Sequence, residues 1–157
     1  MMDDSSVLAE IDAAFGSTTR PQQFTVQDGD PECMDHDALL SSRTPSTLSL
    51  KDVGNVCWDP LCECLPAGIA YLFPALARFA LARPTESGYW YGGQLIFHLS
   101  YDGANNRFLH HCSQCHRAAV ASLLAHIIES RHVEIDGDGS SVEEFETCLS
   151  LWRGIDK

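Results

Sequence analysis

Basic side chains are scarce in this sequence: 10 Lys and Arg stand against 22 Asp and Glu, a formal net charge of -12. The deficit is concentrated at the two ends. Residues 1–42 hold nine acids and Arg20 alone, residues 132–157 hold seven acids and two bases, and the stretch between is near neutral. Such ends repel phosphate backbones and anionic headgroups, which argues against nucleic acid and membrane partners. They suit a protein partner with a basic surface, or a solvated face with no partner at all. A long apolar run is also missing. The longest uncharged one, Leu65–Ala77, covers thirteen residues, contains Pro66 and Pro74 and stops at Arg78; a membrane span needs about 20. The opening MMDDSSVLAEIDAAFG is acidic where an export leader is basic, so the expected location is the cytoplasm.

Repeats, low-complexity tracts and dividing linkers are absent too, and the 157 residues, 45% apolar, read as one domain, 1–157, with frayed ends at 1–4 and 154–157. Phosphate-loop, dinucleotide and nucleophile-elbow fingerprints are lacking, so no catalytic residue is nominated and the balance leans away from an enzyme. The cysteines number seven. An odd count at uneven spacing predicts reduced thiols in place of a disulfide framework.

What the chain does have is helical periodicity. Val7, Leu8, Ile11, Ala14 and Phe15 share one face of a helix over Asp4–Phe15, stopped by Gly16. Asp30-Pro31 opens a second helix running to about Ser42, and Ser49 caps a short one ended by Gly54. CWDPLCECLP, bracketed by prolines, is a loop. AGIAYLFPALARFALARP is apolar around most of its circumference and marks the central buried element, kinked or split at Pro74. QLIFHLSYDG, ambiguous between strand and helix, favours helix because Leu95, Ile96 and Leu99 share a face. Val120, Leu123, Leu124, Ile127 and Ile128 define a helix from Ser113 to about Ser130; Ser141-x-x-Glu144 starts the last one. HVEI, residues 132–135, is expected to be extended. The fold class is therefore mostly α: a compact domain of about six or seven helices around a buried, Pro-kinked central helix.

Five potential metal ligands crowd into HHCSQCHR, residues 110–117. Cys112, Cys115 and His116 spell the Cys-x-x-Cys-His of covalent haem attachment, a modification made after export. Zinc needs four ligands, usually in two close pairs, and the partners on offer are Cys33-x-x-His36 and the irregular set Cys57, Cys62 and Cys64. A plainer reading accounts for the same residues. Ser113 caps the helix, His116 begins its buried stripe and is held neutral there, and Cys112 and Cys115 act as small buried hydrophobes. EIDGDGSSVEEFE does not satisfy calcium-loop spacing in either register, since position twelve is Phe145 or Thr147. Of the remaining histidines, His126 has Glu129 three residues on, and His132 has Glu134 two residues on if HVEI is a strand.

The stretches PECMDHDALL, TLSLKDVGNVCWDPLC, YLFPALARFAL and NRFLHHCSQCHRAAVASLLAHI together resemble an uncharacterised, mainly bacterial family, the domain of unknown function 6714. The resemblance runs from Ile11 to about Trp152. Its most specific elements are Glu32-Cys33-x-x-His36, Trp58-Asp59-Pro60, Tyr71-Leu72-x-Pro74-Ala75-Leu76 and Arg117-Ala118-x-Val120. The family pattern at the helix start reads Cys-Ser-Pro-Glu-Gln-Arg; this chain matches at Cys112, Ser113 and Arg117 and departs at Gln114, Cys115 and His116, which weakens haem and zinc there. The resemblance implies no activity to transfer. The expectation is an acidic, soluble, non-enzymatic protein-binding module, of inhibitor or immunity type in its stricter form, without a cofactor. The alternative is a metal-binding or thiol-redox protein, with zinc as cofactor, that uses Cys33, His36, Cys112, Cys115 or His116.

Overall fold

The structure, a computed structural model, describes residues 2–84 and 89–154. Among these are nine α-helices: α1 Asp4–Phe15, α2 Pro31–Ser41, α3 Leu50–Val53, α4 Pro66–Leu81, α5 Tyr91–Ser100, α6 Arg107–His111, α7 Gln114–Ser130, α8 His132–Gly137 and α9 Val142–Arg153. Single 3₁₀ turns stand at Pro60–Cys62 and Gly103–Asn105. The described residues contain no strand, only an isolated bridge between Thr25 and Cys64. The mostly helical expectation holds. The count exceeds six or seven because α3, α6 and α8 are four- to six-residue segments set by caps and packing, too short to show a periodic stripe.

Polar caps fix where the longer helices begin. Asp3 Oδ1 accepts from Ser6 N at 2.8 Å, Asp30 Oδ1 from Glu32 N at 2.8 Å, and Ser113 Oγ from His116 N at 3.2 Å; each satisfies a donor that the helix itself leaves open. Ser141 and Glu144 form the capping box their spacing predicts. From these starts the apolar stripes meet. α1 packs against both α4 and α7, α7 against α9, and α5 against α4 and α9. Val7, Ile11 and Phe15 of α1, Leu72, Phe73 and Leu76 of α4, and Phe145 of α9 are at most 1% exposed. Each such side chain contributes roughly 1.5–3 kcal/mol relative to an exposed one. α4 runs unbroken through Pro74: the ring removes one donor and is itself buried, so the helix is not split.

Two expectations are corrected. HVEI is not extended but forms α8, with Ile135 N donating to Arg131 O at 2.9 Å and Asp138 N to Glu134 O at 3.0 Å. Its β-branched composition is overridden by tertiary contacts: Ile135 is fully buried and Glu134 pairs with Arg83 at 2.9 Å. Asp4, expected in a frayed end, is instead clamped. Its carboxylate takes His126 Nε2 and Arg131 Nη2, each at 2.6 Å, while Arg131 Nη2 also donates to Leu81 O at 2.8 Å. Burial pushes the Asp4 carboxyl up, but the His126 and Arg131 hydrogen bonds outweigh it and hold the group below its ordinary value. His126 thus pairs with a residue far away in sequence and not with Glu129. The fraying expected at 155–157 lies outside the described residues.

The segment before α4 is fastened at both ends. Leu65 N donates to Phe24 O at 2.7 Å, and Gly68 leaves room for this crossing, because a Cβ there would stand 2.8 Å from both Cys64 Sγ and the Phe24 ring. At the other end Arg43 holds Asp52 through Nε at 2.8 Å and Nη2 at 3.1 Å. Residues 54–65 therefore lie over α5 as an anchored loop.

Candidate functional site

HHCSQCHR turns out to be a helix junction. His110 and His111 end α6, Cys112 is its C-cap, and Ser113 caps α7. Cys112 stands in extended backbone before α7 begins, so helical spacing does not place it on one face with Cys115. Cys112 is buried, its thiol pushed up to about 12 by burial, whereas Cys115, expected to be a small buried hydrophobe as well, is exposed. The His116 ring stacks on Phe15 with centroids 4.2 Å apart, and its Nδ1 accepts from Ser113 N at 3.3 Å. Burial there lowers its pKa, partly offset by a hydrogen bond with Ala14 and reinforced by nearby His111.

Cys33 and His36 do share the inward face of α2. The Cys33 thiol donates to Glu63 Oε2 at 3.4 Å and is pushed up to about 11 by burial and by that carboxylate. His36 is 1% exposed, lies under Trp58 with ring centroids 4.7 Å apart, and has Nε2 3.4 Å from Glu32 Oε1. The described residues hold one group of three metal-ligating side chains whose donor atoms all lie within 4.8 Å of one another, and it contains none of Cys33, His36, Cys112, Cys115 and His116; of the irregular set of thiols weighed as zinc partners, only Cys62 is in it. The group is Asp59, Cys62 and His98.

Local rules explain how these three meet. Asp59-Pro60 starts the 3₁₀ turn, with Asp59 Oδ1 accepting from Leu61 N at 2.9 Å. Three residues per turn bring side chains 59 and 62 over one another. α5 delivers His98 from across the loop, its Nε2 2.6 Å from Asp59 Oδ2. Gln94, one turn earlier on α5, donates Nε2 to the same oxygen at 2.6 Å and to Val53 O at 2.6 Å, while its Oε1 accepts from the Tyr89 hydroxyl. Asp59 is 6% exposed, and its only ion-pair partner among the described residues is His98. Burial first, then Asp59, Glu63 and Glu32, push the Cys62 thiol up. That electronegative setting opposes a free thiolate nucleophile.

Two clefts flank this group. One, about 380 Å³, is bounded by Cys62, Ile69, His98, Tyr101, Asp102 and Arg107 among others. Its far wall is set by buried Asn106, whose Nδ2 donates to His98 O at 2.8 Å and Tyr101 O at 2.9 Å and whose Oδ1 accepts from Leu109 N at 2.9 Å. The other, about 360 Å³, is lined by Val56, Asp59, Cys62, Tyr89, Gln94 and Asp138 with Gly93 and Phe97. Gly93 leaves the space this carboxylate occupies: a Cβ would stand 1.7 Å from Asp138 Oδ2, so the bare backbone admits it beside the first turn of α5. Burial raises the Asp138 pKa. The acidic turn that failed as a calcium loop thus contributes one wall of the cleft. Phe97 borders both clefts and is 53% exposed; Val56 and Tyr101, each lining one of them, are 66% and 65% exposed.

The sequence marked Asp59 only as part of a family-like Trp-Asp-Pro and gave His98 no partner. A usable signal was present in each half, an Asp-Pro cap with a cysteine three residues on and a histidine four residues after a glutamine. Nothing local joins the halves across 39 residues. No helix among the described residues is long and apolar enough to cross a membrane. Comparison of the chain with protein-family models, with curated proteins and with solved structures found no match.

Proposed function

We propose that this chain is a non-enzymatic protein-binding module that grips a basic segment of its partner at the two clefts beside His98. The observation that carries the reading is the gathering of Val56, Phe97 and Tyr101, all more than half exposed, around clefts large enough to take a side chain. Scattered surface hydrophobes need no explanation; a cluster rimming a concavity does. Charge selects the occupant. The clefts present Asp59, Asp102 and Asp138 against Arg107, and the whole chain carries -12. A partner segment with an aromatic or long aliphatic anchor beside Lys or Arg satisfies both features. An inhibitor or immunity-type role, covering a basic protein, is the stricter form of the same reading, and kinship with the domain of unknown function 6714 family is compatible with it.

A displayed random-peptide library panned over the immobilised protein tests this. Enriched peptides should pair an apolar anchor with basic residues, lose binding to the Phe97→Ser, Tyr101→Ser double variant, and weaken steeply from about 0.05 to 0.5 M salt. Failure to enrich, or enrichment indifferent to both the variant and salt, would sink the proposal.

A further inference from the structure

We propose that Asp59, Cys62 and His98 bind one divalent metal ion of the zinc class at the rim of the cleft. The donor set is the first reason. A carboxylate oxygen, a sulfur and an imidazole nitrogen within 4.8 Å of one another match zinc and its neighbours, whereas magnesium and calcium take oxygen alone.

Spacing is the second. Bonds of about 2.1–2.3 Å at tetrahedral angles put ligand atoms roughly 3.3–3.7 Å apart. Asp59 Oδ2 and His98 Nε2 stand closer than that, at 2.6 Å, and no pair of donor atoms in the group is more than 4.8 Å apart. Seating an ion needs shifts of about an ångström or less, taken by the ring of His98 and the exposed Cys62 side chain. On binding, the Cys62 thiol proton passes to solvent, and the hydrogen with which His98 Nε2 faces Asp59 Oδ2 leaves that atom, so that the neutral ring carries its one proton on Nδ1 and Nε2 can ligate.

The third reason lies in what surrounds the ligands. Gln94 and the Leu61 amide already hold the Asp59 carboxylate without any ion, and Gln94 is oriented in turn by Val53 O and Tyr89. Such outer contacts are what fix first ligands in built sites. The buried Asp59 carboxylate has no Arg or Lys partner among the described residues, only His98, and a metal ion would supply a fixed countercharge. Three protein ligands leave one position facing the cleft, open to water or to a side chain brought by a partner. The inference does not depend on the partner-binding reading, because the free protein suffices to test it.

The experiment is titration of chelator-stripped, reduced protein with zinc chloride and with cobalt(II) chloride. One ion per chain should bind, the cobalt form showing tetrahedral bands and thiolate-to-cobalt charge transfer. Cys62→Ser should abolish the charge-transfer band, and both it and His98→Gln should weaken zinc binding by about tenfold to a hundredfold, with Cys115→Ser unchanged. Cys62 is exposed, so its variant folds, and far-UV circular dichroism verifies this. No ion bound by folded protein, or binding that survives Cys62→Ser and His98→Gln, or a band lost in Cys115→Ser instead, would overturn the assignment.

Discussion

Two groups of ligand-type residues behave oppositely in this molecule. Cys112, Cys115 and His116 are packed into five positions and are driven apart by the helix junction they span: one thiol into the core, one into solvent, and the ring onto Phe15. Asp59, Cys62 and His98 are spread over forty positions and brought within 4.8 Å. Density along the chain is therefore a poor guide to density in space when a helix start intervenes: the change from extended backbone at Cys112 into α7 separates it from Cys115, and about 100° of rotation per residue separates Cys115 from His116. A 3₁₀ turn facing a helix does the reverse, since it eclipses residues three apart and leaves a third ligand to come from across the loop.

The energetic contrast between the groups can be broken at Asp59. Asp59→Ala strands the Leu61 amide, one donor of Gln94 and His98 Nε2 in a buried pocket. Each stranded buried donor costs about 1–3 kcal/mol and partial rearrangement recovers some of it, so denaturant unfolding should show a loss of about 3 kcal/mol. A loss below about 1 kcal/mol would mean the carboxylate is not held as described. In the other group the effects are smaller and unequal. Cys112→Ser buries a hydroxyl where a thiol acted as a hydrophobe and should cost about 1–2 kcal/mol, while Cys115→Ser should fall within about 0.5 kcal/mol of the parent. Equal effects at the two cysteines would contradict the separation of the pair by the helix.

The starts of α1, α2, α7 and α9 were legible because a cap and a periodic stripe are both local facts. Ser113 and Ser141 announce themselves within four residues. The misreading of residues 132–135 has a physical source: two β-branched residues in four weigh toward strand, and the burial of Ile135 and the Arg83–Glu134 pair that decide for helix lie elsewhere in the chain. His126 shows the same limit, since its partner Asp4 stands 122 positions away. The candidate site was legible only as two unconnected halves, an Asp-Pro cap and a Gln/His helix face. Hydrogen bonds spanning 35 to 41 residues from Gln94 and His98 join them, and no spacing rule reaches that far.

The smallest expected effect concerns His116 and sharpens the claim that its cluster is structural. Burial against Phe15 disfavours the imidazolium, so the folded-state pKa lies below the ordinary 6.5. The unfolded chain then binds more protons than the folded one as pH falls below 6.5, which means stability is level above that value and declines below it. His116→Gln keeps an acceptor three residues from Ser113, as a capping box requires, and removes the titration. The variant loses the ring stacked on Phe15 and should be less stable than the parent at about pH 7.5, yet the gap should narrow on acidification to about pH 5.5. Because His111 lowers the His116 pKa further, His111→Gln should make the same acid decline slightly shallower. A gap between parent and His116→Gln that stays constant with pH would show an imidazole that protonates freely in the folded state. The ring would then be a solvent-facing group, open to a ligand, and the contrast with the buried Asp59 group would lose its structural half.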